Sequence, residues 1–197
     1  MASDYNLSIT GATLRRPDSI ETARMYLELG DWSAVRKRVV EDNIYQLNSE
    51  ASLKRFAGDI VRRLRNLTDD ELRFLVDSFA DDQSAMLWVA VCRPYPVVSG
   101  LSARVLRDGY EQGIPAYTEG AFETYFEQEA QMHPELLDLS LRSHKKVRTQ
   151  IFRMLVECGM IAEDGTITPI HPSPAFARTI DAAHQEDLDL FPGVTLR

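Results

Sequence analysis

Between Arg142 and Arg153 the chain carries five basic side chains and no acid. Arg142, Lys145, Lys146, Arg148 and Arg153 supply long cationic donors, with Ser143, His144 and Thr149 set among them. This is the chemistry of polyanion contact: Lys and Arg meet phosphates and guanine edges, and short hydroxyl side chains let a helix approach closely. At 100° per residue, Lys145, Lys146, Thr149 and Arg153 share one arc, opposite an apolar arc centred between Val147 and Ile151. Arg142 and His144 stand at the helix start, and Arg148 flanks the apolar stripe. Any amphipathic helix has a charged face, because Lys and Arg are ordinary helix formers. The surrounding elements must therefore decide what the face is for.

A second basic group lies in the first third of the chain. Arg36, Lys37 and Arg38 are adjacent on one predicted helix, and Arg55 and Arg62 centre the polar face of the next, with Arg63 and Arg65 beside it. Asp59 interrupts that stripe. These residues form either a second DNA-facing surface or a solvated face.

Other chemistries find little support. There is no phosphate-binding glycine loop, no dinucleotide fingerprint and no nucleophile elbow. The four histidines, His133, His144, His171 and His184, do not pair at metal-ligand spacing, and Cys92 and Cys158 are far apart in sequence. Asp69, Asp70 and Glu71 read as helix-start charges favoured by the helix dipole; Asp77, Asp81 and Asp82 read as solvated faces. The expectation is a protein that is not an enzyme and needs no cofactor or metal.

Net charge is −8 over 197 residues, which by itself argues against a nucleic-acid partner. The distribution reverses that argument. Residues 1–67 carry 11 basic and 9 acidic side chains, residues 68–140 carry 4 and 14, and residues 141–197 carry 7 of each. The acidity is central, with basic stretches on either side, and a local patch sets an electrostatic footprint. Both cysteines sit in apolar helical patterns, as small buried side chains do in a reducing compartment. Met1–Ser8 has no apolar core, so no secretory signal is expected. The longest apolar run, Ala85–Cys92, is far shorter than the roughly 20 residues of a membrane span. The expected location is cytoplasmic, with no membrane partner.

Helical signals position these residues. Asp18 with Glu21, and Thr68 with Glu71, read as capping boxes; Asp31 and Ser49 read as N-caps. Ala85–Cys92 is apolar nearly all round and is expected at the centre of the core. One helix is expected over 98–110. A loop over 111–117, with Gly113 and Pro115, marks a boundary between an N-terminal helical subdomain, 1–112, and a C-terminal subdomain, 113–197. An aromatic helix with Phe122, Tyr125 and Phe126 follows, and His133-Pro134 ends it. A short helix after Pro134 precedes a long helix over about 143–158, capped by Ser143 and stopped by Gly159. Asp164-Gly165 between short apolar runs then predicts a two-residue hairpin. The tail after Ala183 is expected to be loose or docked in extended form. The predicted fold is mainly α: a helical bundle with a C-terminal winged helix-turn-helix-like segment and one short β-hairpin. That order of elements would put the basic helix in a major groove.

Several stretches resemble the BrxA family of BREX bacteriophage-exclusion systems. They are Tyr5-Asn6-Leu7-Ser8 followed by Thr10-Gly11, and Tyr26-Leu27-Glu28-Leu29-Gly30-Asp31-Trp32 with Val35 and Arg36. Leu67-Thr68-Asp69, Leu87-Trp88-Val89-Ala90-Val91-Cys92-Arg93, and Phe152-Arg153-Met154-Leu155 with Asp164-Gly165 complete the set. The likeness runs from Tyr5 to about Pro174. It implies a helical protein with winged-helix character that binds double-stranded DNA and acts beside other BREX proteins, among them a methyltransferase and a large ATPase. An assembly adaptor and an RNA-binding protein are the alternatives.

Overall fold

The computed structural model describes residues 13–193. Tyr5–Ser8, Thr10 and Gly11 lie outside the described residues. Local caps fix most helix starts. Helix α1 is Arg16–Leu29, α2 Trp32–Glu41, α3 Glu50–Leu64, α4 Asp69–Asp77 and α5 Ala80–Cys92. Asp31 accepts from the amides of Ser33 and Ala34, and Ser49 from that of Ser52. Thr68 and Glu71 form the reciprocal capping box. The start of α1 differs from expectation: Arg15, in a left-handed conformation, precedes it, and Pro17 rather than a capping side chain shapes the first turn.

Helix α5 has buried side chains around its whole circumference from Ser84 to Cys92. It packs against α1, α3, α4, α6 and α9. One hydrophobic core therefore runs from Leu14 to Phe191, drawing on residues from both sides of position 112. The stretch expected as one helix over 98–110 is a continuous run of α6 (Pro96–Leu101), a π-helical turn (Ser102–Arg107) and α7 (Asp108–Glu111). Helix α8 is Glu119–Met132, capped by Thr118. A 3-10 turn at Pro134–Asp138 leads to α9, Leu141–Cys158, and Gly159, at φ 84°, ends it.

The expected winged-helix hairpin is corrected. No strand forms among the described residues; two isolated antiparallel bridges do, Ile161 with Ile167 and Ala116 with Thr166. The amide of Ala162 donates to the Thr166 carbonyl at 2.8 Å and that of Thr168 to Met160 at 2.9 Å. The loop before α8 adds the amide of Tyr117 on the Gly165 carbonyl at 2.9 Å. Each apolar run is only about two residues long, and Pro169 has no amide with which to continue the ladder. Gly165, at φ 88°, is required twice: a Cβ there would sit 2.5 Å from the Tyr117 carbonyl oxygen.

Of the tail expected to be loose or docked in extended form, the described part docks, but not in extended form over Ala182–Leu190, and residues 194–197 lie outside the described residues. After α10 (Pro174–Thr179), a kinked 3-10 segment, Ala182–Leu190, docks on the bundle. The Leu190 carbonyl accepts from Ser102 Oγ at 2.7 Å, and Ser102 Oγ accepts from the indole of Trp88 at 2.9 Å.

Candidate nucleic-acid interface

Helix α9 buries Val147, Ile151, Met154, Leu155 and Cys158. Ser140, three residues before the expected cap, accepts from the amide of Ser143 at 3.2 Å, and its hydroxyl lies 2.9 Å from that of Ser143. The helix thus begins before the basic run, so Arg142 is helical. On the opposite side Arg142, Lys145, Lys146, Thr149 and Arg153 are exposed. At 1.5 Å per residue, Arg142 to Arg153 spans about 16 Å of helix axis. No carboxylate among the described residues pairs with Arg142, Lys145, Lys146 or Arg153, and α9 carries no acid before Glu157. Thr149 donates its hydroxyl proton to the Lys145 carbonyl at 2.9 Å, which leaves its oxygen as an acceptor toward solvent.

Two members of the expected set face inward instead. The His144 ring lies 4.5 Å from that of Phe126, edge-on, and 5.5 Å from that of Phe122, with Nε2 3.4 Å from Glu123 Oε2. Arg148 Nη1 lies 2.6 Å from Glu123 Oε1 and also pairs with Glu119. Glu119 and Glu123 stand one turn apart on α8, so one face of α8 grips one flank of α9. Ser143 is half-buried and engaged with the cap. The structure therefore collects five of the eight expected residues on the solvent face and gives the other three to the scaffold.

The N-terminal basic group is differently placed. Arg36, Lys37 and Arg38 are exposed on α2, but Lys37 Nζ lies 3.8 Å from Glu41 and Arg38 Nε 3.5 Å from Asp42. Arg55 lies over the Phe56 ring at 4.9 Å. Arg62 is 3.9 Å from Asp59 and 3.5 Å from the Tyr95 hydroxyl. Most of these cations are balanced by a neighbour; the exposed cations of α9, Arg142, Lys145, Lys146 and Arg153, have no acid partner among the described residues.

Beside the α9 face lies a cavity of about 250 Å³ lined by Tyr117, Glu119, Arg148, Thr149 and Phe152. The Tyr117 and Phe152 rings are stacked at 6.4 Å between centroids. Sequence reading missed this feature, because its residues come from a loop, the start of α8 and the middle of α9. Burial pushes both thiols, Cys92 and Cys158, far above the ordinary range, so neither is a thiolate nucleophile near neutral pH. Among the described residues no three His, Cys, Asp or Glu side chains are grouped to hold a metal ion.

Among the described residues, fold and site define a mainly helical protein that presents a cationic helix face without acid partners, and no helix there is long and apolar enough to cross a membrane. The chain belongs to the BrxA family, whose model matches residues 3–184. It is 24% identical over 153 residues to the "BREX protein BrxA" of Escherichia coli O9:H4 (strain HS), covering 78% of this chain and 72% of that one. It is 20% identical over 127 residues to the "BREX protein BrxA" of Bacillus cereus (strain H3081.97), covering 64% of each. A crystal structure of an uncharacterized protein from Magnetospirillum magneticum has the same fold, with a TM-score of 0.78 over 95% of this chain and 97% of that one, at 19% identity.

Proposed function

We propose that this chain is a non-enzymatic, cytoplasmic component of a BREX phage-defence system that binds double-stranded DNA through the exposed face of α9. One observation carries the reading: Arg142, Lys145, Lys146 and Arg153 lie along one helix face with no acid among the described residues to balance them. Leaving four cations unopposed favours a polyanion that fills the gap, and release of its counterions drives association. A helix face of this kind suits the wide major groove of B-DNA, whereas the major groove of an RNA duplex is too deep and narrow to admit it. His144, Arg148 and Ser143 hold α9 in place. Residues 113–193 carry the contact face and the earlier helices the scaffold, with Arg36 and Arg55 as outlying secondary contacts.

The adaptor reading has its own observation. Met132, Leu137 and Leu141 are large, apolar and well exposed just before and at the start of α9, where another BREX protein would find a hydrophobic contact.

The test is titration of a labelled duplex of about 30 base pairs, roughly three helical turns, with the wild type and the Lys145→Ala/Lys146→Ala/Arg153→Ala variant. Salt-sensitive binding that the variant loses is the expected result. Equal binding by the variant moves the site off α9, no binding by either favours the adaptor, and preference for an equal-length RNA duplex overturns the DNA assignment.

A further inference from the structure

The cavity beside α9 shares Thr149 with the exposed cationic row, yet its chemistry differs from the row's. Its one cation, Arg148, is neutralised by Glu119 and Glu123. A phosphate would meet those carboxylates and gain no net attraction. What the cavity offers instead is apolar surface from two aromatic rings, Tyr117 and Phe152, and polar groups around their edges. Tyr117 is only 4% exposed, and its hydroxyl has no hydrogen-bond partner among the described residues. A buried hydroxyl without a partner carries a desolvation cost that an incoming acceptor or donor would relieve. The volume, about 250 Å³, lies below that of a drug-sized ligand site, roughly 300–1,000 Å³, and suits a single planar ring system.

We infer that this cavity receives one unpaired nucleobase, swung out of a DNA strand whose phosphates lie along the exposed row of α9. The inference rests on the DNA reading of α9 and deepens it. A neutral, planar, polar-edged ring matches all three features: aromatic walls for stacking, a charge-balanced rim and an unfilled hydroxyl. Glu119 would accept an exocyclic amine, and Arg148 and the Tyr117 hydroxyl would donate to ring nitrogens or carbonyls. Aromatic side chains of a partner protein would stack equally well, but they would not be drawn to a cavity beside an unopposed cationic row. The phosphates of a nucleic acid would be.

Three duplexes of about 30 base pairs distinguish the possibilities: one fully paired, one with a single bulged adenosine, and one with a bulged abasic residue at the same position. The abasic probe has the flexibility of the bulge without the ring. Wild type should bind the adenosine bulge about tenfold more tightly than the abasic bulge, the scale of one base–aromatic stack. Phe152→Leu, which keeps apolar volume and removes the ring face, should bring the two together while leaving affinity for the paired duplex unchanged. If Phe152→Leu does not fold, as judged by thermal melting, the base-against-abasic comparison in wild type decides alone. Equal wild-type affinity for the two bulges overturns the inference and leaves the duplex reading standing. No binding to any probe overturns both.

Discussion

Arg93 and Glu71 meet as a two-pronged ion pair, Nη1 to Oε2 at 2.7 Å and Nη2 to Oε1 at 2.6 Å, with Glu71 wholly buried. Arg93 also donates to the Asn66 carbonyl and to Asp187, and Glu71 also accepts from the amides of Thr68 and Asp181. One guanidinium thus joins α4, the end of α5 and the C-terminal segment. Breaking a buried pair leaves a charge without its partner, so Glu71→Gln should cost about 3 kcal/mol in urea unfolding at neutral pH. Burial alone would raise the Glu71 carboxyl; the Arg93 donors and the two amides outweigh it and hold it below its ordinary 4.5. Its contribution is therefore complete above about 4.5 and is lost as pH falls through the lower folded value. The unfolding midpoints of wild type and Glu71→Gln should converge with acidification. Midpoints that stay parallel from neutral to acid pH would show that Glu71 is not held in its ionised form.

Asp187 works with the opposite sign. Burial raises its carboxyl by more than its contact with Arg93 recovers. A raised carboxyl favours the fold below its ordinary 3.8, and that contribution is lost as pH rises through the folded value. Asp187→Asn should therefore cost less than Glu71→Gln at neutral pH. The same urea series ranks the two, and the reverse order would contradict the assignment.

The docked C-terminal segment is held by more than charge. Phe191 is fully buried, with its ring edge-on to that of Phe176 at 5.6 Å. Truncating a buried aromatic ring leaves a cavity that costs about 3–5 kcal/mol. Phe191→Ala should lower the unfolding free energy by that amount in denaturant titration. A loss under about 1 kcal/mol would mean the segment contributes little to the core.

These elements show what sequence alone makes legible. Asp31, Ser49, Thr68 and Glu71 were readable because a cap acts within three residues of itself. The central burial of α5 and the two-faced character of α9 were readable because periodicity is local. The joining of Glu71 and Asp187 through Arg93 was not: they lie 22 and 94 residues from Arg93 and no period links them. The hairpin was over-read because Asp164-Gly165 specifies a turn but not the length of the ladder beyond it. The inward turn of Arg148 was missed because only the packing of α8 brings Glu119 and Glu123 against that flank. The 3-10 form of the docked segment was not legible, because its composition is acidic and its anchors, Asp187, Leu190 and Phe191, meet partners distant in sequence.

Arg148 separates positioning from contact. Its charge is already met by Glu119 and Glu123 and its side chain is largely buried. Arg148→Ala should cost roughly 1.5–3 kcal/mol of stability, the scale of hydrogen bonds to charged groups, measured by denaturant unfolding. Affinity for a fully paired duplex, compared at temperatures where both proteins are folded, should change little. A large loss of that affinity with unchanged stability would place Arg148 among the contacts to the paired duplex instead.

The salt dependence of DNA binding tests the exposed row most directly. Each phosphate neutralised on duplex DNA contributes about 0.9 to the slope of log affinity against log salt. Lys145, Lys146 and Arg153 have no acid partner among the described residues, so each is free to displace counterions. The Lys145→Ala/Lys146→Ala/Arg153→Ala variant should therefore show a slope shallower by up to about 2.7. On α2, Lys37 and Arg38 already face Glu41 and Asp42. Arg36→Ala/Lys37→Ala/Arg38→Ala should accordingly shift the slope by no more than about 0.9, the share of Arg36 alone. Equal losses from the two triple variants would mean that the duplex runs across both basic surfaces, and the larger loss from α2 would reverse their order.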